Sequence, residues 1–459
     1  MVVNKTIPRR FEFLARIPPR ALTYINTDQR FVPIVFRSTS KWSGKASFHS
    51  WTSGKPQLTT IAWPTREQHI RLDAVTIDGR LVTKRLATTR ASGITGALAA
   101  QPVRDVPQLL SRLFSLCGTA HAVAGLAAIE AALGIEVSPA QLVFRELMLL
   151  AEHGAALGWR ILMDWPPLLG DSPEVRACAD IRRAATAVST IAEHSAWARI
   201  GGARLRPDRG NLRQSMSELA RMLVELFPEA ADPALTWSNL ESSLQGGTSI
   251  PARLINVART GVLADYGHHD RPLLPSMDAT WFAARLTTEP RFGDAPTLDG
   301  TPAEVGPLAA QRHPLVADAV AHWGATLATR LLAAALDAPV VAGRLCRALD
   351  GLANDDPIEF DATRLGRGAG VVETARGPLA YVVEAADGRV RMLCSVAPTE
   401  WNFHPNGPFV AALDAAPRVP DPVLAARLLA ASFDPCVQFR IEASPDHRSP
   451  TNEEIALHA

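Results

Sequence analysis

The sequence predicts a mainly α-helical protein with small β-hairpins, and three observations carry that prediction. Long stretches repeat apolar residues at helical spacing, the Ser138-Pro139 pair supplies an N-cap and a first-turn proline, and strand-like sequence is concentrated around two Asp-Gly dipeptides. With 459 residues and 47% apolar content, the chain can bury a sizeable core as one large domain or two ordinary ones.

The head, residues 1–60, carries ten Lys and Arg against two acids, whereas the rest of the chain carries 37 against 44. It is rich in Arg, Ser, Thr and Lys and lacks sustained strand or helix periodicity, which predicts a basic, disordered extension. Aromatic and basic residues do not interleave at a regular spacing, so nucleic-acid binding is not expected.

The main domain is expected over 61–442. His69–Ile77 and Leu81–Leu86 flank Asp78-Gly79 as a hairpin. Apolar residues at helical spacing run from Val106 to Leu116 and from Ala120 to Leu133, where Gly134 supplies the stop, so Cys117 falls at a break between helices. A helix from Ser138-Pro139 runs toward Met163, and further helical patterns cover about 174–198, 211–227 and 313–350. Leu379–Glu384 and Val390–Val396 flank Asp387-Gly388 as a second hairpin. A short helix from Pro422 to Ala430 leads into Asp434-Pro435-Cys436, and 443–459 reads as a polar tail.

No run of about 18 apolar residues and no secretory signal pattern is present, so a cytoplasmic protein without a membrane span is expected. Five cysteines, an odd number scattered along the chain, argue for reduced thiols rather than a disulfide framework. Cys178 and Cys346 lie in helical patterns and Cys394 in a strand, where packing roles are expected. Gly267-His268-His269-Asp270 lacks metal-ligand spacing. Neither a Gly-rich phosphate loop nor a Ser-His-Asp arrangement emerges.

Two cysteines stand apart. Cys117 precedes a helix start, and Cys436, after an Asp and a Pro, reads as a second one, so both thiols would face the positive end of a helix dipole. That position favours thiolate, the form that binds soft metals. His121 lies on the same helical face as Cys117. A shared two-cysteine site with a nearby imidazole requires the fold to bring 117 and 436 together; otherwise each is a small buried hydrophobe.

The flanks of these cysteines resemble the nickel–iron hydrogenase large subunit. Its Arg-x-Cys-Gly-x-Cys-x-x-x-His motif aligns with Arg112, Phe114, Cys117 and His121, and Val103-Arg104-Asp105-Val-Pro107 resembles its lead-in. Asp434-Pro435-Cys436 resembles the family's Asp-Pro-Cys-x-x-Cys-x-x-His, with Phe439 and Glu442 in place of the second Cys and the His. Pro302–Ala309, Glu373–Leu379 and Cys394–Asn402 resemble three further family blocks in order, and Glu67-Gln-His69 is a looser match to a fourth.

The resemblance implies a hydrogenase large-subunit-like helical bundle in which Cys117 and Cys436 keep two of four metal thiolates, while Phe114 and Phe439 replace the others. Nickel is therefore not expected and dihydrogen turnover should be lost. Arg376, Pro398 and Thr399 fall on the family's residues around the iron's cyanide and carbon monoxide ligands. This pattern is similar to the HupK/HoxV-type accessory proteins of hydrogenase maturation. It implies a non-enzymatic scaffold or carrier for the iron–dicyanide–carbonyl group, with a HypC-type chaperone and the apo large subunit as partners. A divergent redox-active subunit and a metal-free docking chaperone are the alternatives.

Overall fold

In the computed structural model the described residues are 23–26, 69–88, 98–114, 116–192, 197–232 and 234–445. Of the basic head, Thr23–Asn26 forms strand β1; the rest of that segment and the tail beyond residue 445 lie outside the described residues.

The first hairpin, β2 (His69–Ile77) and β3 (Arg80–Thr88), turns at Asp78 and Gly79, both at positive φ. Next come α1 (Val106–Leu113), α2 (Gly118–Leu133) and α3 (Pro139–Trp159). Ser138 caps α3 by accepting the Gln141 N–H, and Gly134 ends α2 at φ 67°. From α3 the chain continues through a π turn (Arg160–Asp164) to α4 (Val175–Ala192) and α5 (Arg209–Leu226). Shorter helices α6 (Trp237–Gly246), α7 (Ile250–Ala258), α8 (Ala279–Thr288) and α9 (Pro307–Ala310) follow.

The single helix expected over 313–350 is two, α10 (Leu315–Trp323) and α11 (Leu327–Gly351). Gly324 at φ 70° breaks the first, and Thr326 caps the second through the Thr329 N–H. Strands β4 (Gly366–Thr374), β5 (Gly377–Ala386) and β6 (Arg389–Val396) precede α12 (Pro398–Asn402), α13 (Pro408–Asp414), α14 (Pro422–Phe433) and β7 (Gln438–Pro445).

Among the described residues two sheets form, with orders β1-β4-β5-β6 and β3-β2-β7. In the second, β7 runs parallel to β2, with Phe439 opposite Ile70 and Glu442 opposite Asp73. Both faces of the first sheet are covered. Tyr381, Val383 and Ala385 of β5 point into the main core, while Ala380 and Val382 point into a smaller cluster with Phe282, Phe292 and Trp401.

Helix α2 is buried almost all round, and it lies unusually close to β4. A Cβ on Gly370 would sit 2.4 Å from the Ala124 carbonyl oxygen, and one on Gly368 2.2 Å from the Ala132 nitrogen. The glycines admit the helix backbone directly onto the strand. Arg145 of α3 clamps α2 from the other side with a buried two-pronged pair to Glu130, at 2.6 and 2.8 Å. Strand and clamp together fix the axis along which Cys117 is presented.

Candidate functional site

Arg376 lies in the tight turn between β4 and β5, whose closing pair is Thr374 and Gly377. Thr374 Oγ1 accepts the Arg376 N–H at 3.1 Å and donates to the Gly377 carbonyl at 2.8 Å. Gly306, at φ 113°, packs on this turn: a Cβ there would sit 3.2 Å from the Arg376 carbonyl oxygen. Asn402 at the end of α12 bonds both backbone polar groups of Val305, at 2.9 and 3.0 Å. The 302–309, 373–379 and 394–402 segments thus interlock around one arginine.

The Arg376 guanidinium is held by Asp434: Nε lies 2.9 Å from Oδ2 and donates to the Asp434 carbonyl at 3.1 Å. The neighbouring carboxylate Glu373 pairs instead with Arg312. Burial works against the Arg376 charge, but Asp434, the thiols of Cys436 and Cys117, and Asp164 together raise its pKa above the ordinary value. Asp434, two residues before Cys436, thus holds a guanidinium that also lines one cavity with Leu116 and Thr119, the residues on either side of Cys117-Gly118. Thr399, at the second position of α12 after buried Pro398, donates its hydroxyl to Cys436 Sγ at 3.1 Å.

Cys117 is the N-cap residue of α2, as its sequence context predicts. The positive helix end is shared, however, because Glu152 accepts the Thr119 and Ala120 N–H groups at 2.7 and 3.0 Å. Cys436 departs from expectation. Asp434 does not start a helix but ends α14 in the left-handed conformation, φ 49°, so Cys436 lies between a helix C-terminus and β7. The reason is electrostatic: the Asp434 side chain that would cap a following helix is instead bonded by Arg160 and Arg376. Their charges outweigh the desolvation that burial imposes and hold its carboxyl below the usual range.

His121 Nδ1 is 2.7 Å from the Tyr381 hydroxyl, and Phe114 stacks on the ring. Phe439 packs against Phe403 and Phe409, and Glu442 reaches Arg71 at 3.7 Å. Cys178 is in the main core, Cys346 packs against it, and Cys394 packs against the smaller cluster; burial raises all three thiols. His269 is tied to buried Glu304 at 2.7 Å, which Arg330 also grips. Among the described residues no three His, Cys, Asp or Glu side chains form a metal-binding group.

A cavity of about 190 Å³ lies between α3 and α4, with Arg376, Glu152 and Thr119 among the polar groups lining it and Leu116, Trp159 and Arg182 also in its walls. Sequence reasoning missed Glu152, Arg160 and Asp164. Their signal was a set of charged residues within an otherwise apolar helical run, with Arg160 and Asp164 four positions apart.

The fold is that of a nickel–iron hydrogenase large subunit. The reduced nickel–iron–selenium hydrogenase of Desulfomicrobium baculatum superposes with a TM-score of 0.56 at 16% identity, covering 79% of this chain and 95% of that one. Its counterpart from Desulfovibrio vulgaris Hildenborough gives 0.54 at 19% identity over the same shares. No protein-family model matches the chain. Hydrogenase expression/formation protein HupK of Rhizobium leguminosarum is 31% identical over 77% of this chain and 90% of its own length. HupK of Bradyrhizobium diazoefficiens is 32% identical over 76% and 89%, and HoxV of Cupriavidus necator 27% over 80% and 96%. The chain belongs to the HupK/HoxV family of hydrogenase expression/formation proteins. No helix among the described residues is long and apolar enough to cross a membrane.

Proposed function

We propose that this protein acts in the cytoplasm as a hydrogenase assembly factor that carries the iron–dicyanide–carbonyl unit on the Cys117 and Cys436 thiolates. It then passes the unit to the apo large subunit. The observation that carries this reading is the placement of Arg376: it is bonded to Asp434 two residues before Cys436, it lines a cavity with Leu116 and Thr119 beside Cys117, and Thr399 is bonded to the Cys436 sulfur. Thiolates are soft donors suited to such an iron, and a guanidinium is suited to donate to a cyanide nitrogen. Phe114 and Phe439 stand where the resemblance places the other two thiolates, which leaves too few soft donors for nickel. With two anchors rather than four, transfer to a full ligand set runs downhill. In this reading the protein is a scaffold and not an enzyme, loaded by a HypC-type chaperone.

The test is infrared spectroscopy with iron and nickel analysis on protein purified without oxygen from a host that expresses the maturation machinery. Cyanide and carbonyl stretches with iron but without nickel are expected, and both should vanish in Cys117→Ala and Cys436→Ala. Unchanged iron in those variants sinks the reading. Stoichiometric nickel would point to a divergent redox-active subunit, and neither metal to a metal-free docking chaperone.

A further inference from the structure

Asp434 is bound by two arginines that do different things. Arg376 lines the 190 Å³ cavity together with Leu116 and Thr119, which lie next to Cys117 in the chain, and its Nε is 2.9 Å from Asp434 Oδ2. Arg160 reaches the carboxylate with Nη2 alone. Its side chain is 2% exposed, and its Nε and Nη1 are buried without a hydrogen-bond partner. Arg160 therefore contacts Asp434 with one donor and keeps two in reserve.

The reserve has a consequence for Arg376. Without Arg160, any anion that draws this guanidinium off Asp434 would leave a buried carboxylate charged and uncompensated, which opposes binding strongly. A second arginine able to move from a one-point to a two-pronged grip removes that penalty. We infer that Arg160 is a positioning residue: it holds Asp434 so that Arg376 can turn its guanidinium to an anionic, cyanide-ended ligand beside the thiols. The inference rests on the reading of Arg376 as the ligand-facing group.

The experiment titrates metal-free, full-length protein with thiocyanate, a small anion with a cyanide-like end, and follows binding through its infrared stretch. Wild type is expected to bind, Arg376→Met to lose binding, and Arg160→Met to bind about tenfold more weakly. Equal binding by wild type and Arg160→Met, with loss in Arg376→Met, overturns the role of Arg160 and leaves that of Arg376 standing. Equal binding by wild type and Arg376→Met overturns both. The neutral double variant Arg160→Met/Asp434→Asn holds the comparison even where the single variant does not fold. With no carboxylate to hold, it should bind within about threefold of wild type, and loss of binding there also overturns the inference.

Discussion

Phe114 lies flat on His121, with ring centroids 3.5 Å apart and planes 6° from parallel. The phenylalanine stands where the resemblance to hydrogenase large subunits places a cysteine, and it covers one face of the imidazole. With Nδ1 also 2.7 Å from the Tyr381 hydroxyl, His121 reads as a core residue rather than a metal ligand. Tyr381→Phe should therefore lower stability by about 1–2 kcal/mol in urea unfolding, because it strips a buried partner from the ring. Iron content of the loaded protein should be unchanged; a fall would return His121 to the site.

The closeness of α2 and β4 gives a second prediction. Gly370→Ala forces a Cβ to within 2.4 Å of the Ala124 carbonyl, a backbone atom that cannot swing aside. The variant should lose about 3 kcal/mol or more, by overpacking of a closed interface, and Cys117 should move with the helix. Gly246→Ala is the control: it sits at the end of α6 with nothing within 4 Å of the new methyl, and should be neutral or gain up to about 1 kcal/mol. Paired thermal melts decide it.

The same glycines explain what the sequence hid. Gly366, Gly368 and Gly370 weaken a strand signal, so β4 is absent from the predicted elements although it leads into the turn that presents Arg376. Hairpins at Asp78-Gly79 and Asp387-Gly388, the Ser138 cap and the Gly134 stop were legible because each depends on neighbours in sequence. β7 could not be read, since its partner β2 lies more than three hundred residues earlier. At the site, Cys117, Cys436, Arg376 and Thr399 were legible through motifs, whereas Arg160 became visible only when the fold set it against Asp434.

Two buried histidines set an acid limit. Burial lowers His153 and His313 to about 4, so the folded protein refuses protons that the unfolded chain takes up below about 6.5. Their contribution to stability is complete above pH 6.5 and is lost as pH falls toward 4, by about 3 kcal/mol for each. Asp164 is pushed up to about 6, chiefly by burial and by Asp434, and acts in the opposite sense. Protein atoms crowd the carboxyl while part of the residue still meets solvent, so screening keeps that compensation small. Urea midpoints measured from pH 7 to 4 should fall steeply, and His153→Gln should flatten the curve; a parallel curve would assign the loss to other groups.

The Thr399 hydroxyl donates 3.1 Å to Cys436 Sγ, and the Cys436 N–H stands 3.5 Å from the same oxygen. A threonine at the second position of a short helix, with a proline before it and the helix end tied to Val305 through Asn402, has little freedom to turn elsewhere. It aims the sulfur as well as bonding it. Thr399→Ser keeps the hydroxyl, whereas Thr399→Val keeps the shape and removes the donor. If Cys436 anchors the iron unit, loss of one hydrogen bond worth about 1 kcal/mol should speed iron loss to a chelator roughly fivefold in Thr399→Val. Thr399→Ser should behave as wild type. Equal rates in all three proteins would mean that Cys436 does not hold the metal, because a hydroxyl bonded to an anchoring sulfur cannot be removed without changing the bond the sulfur makes.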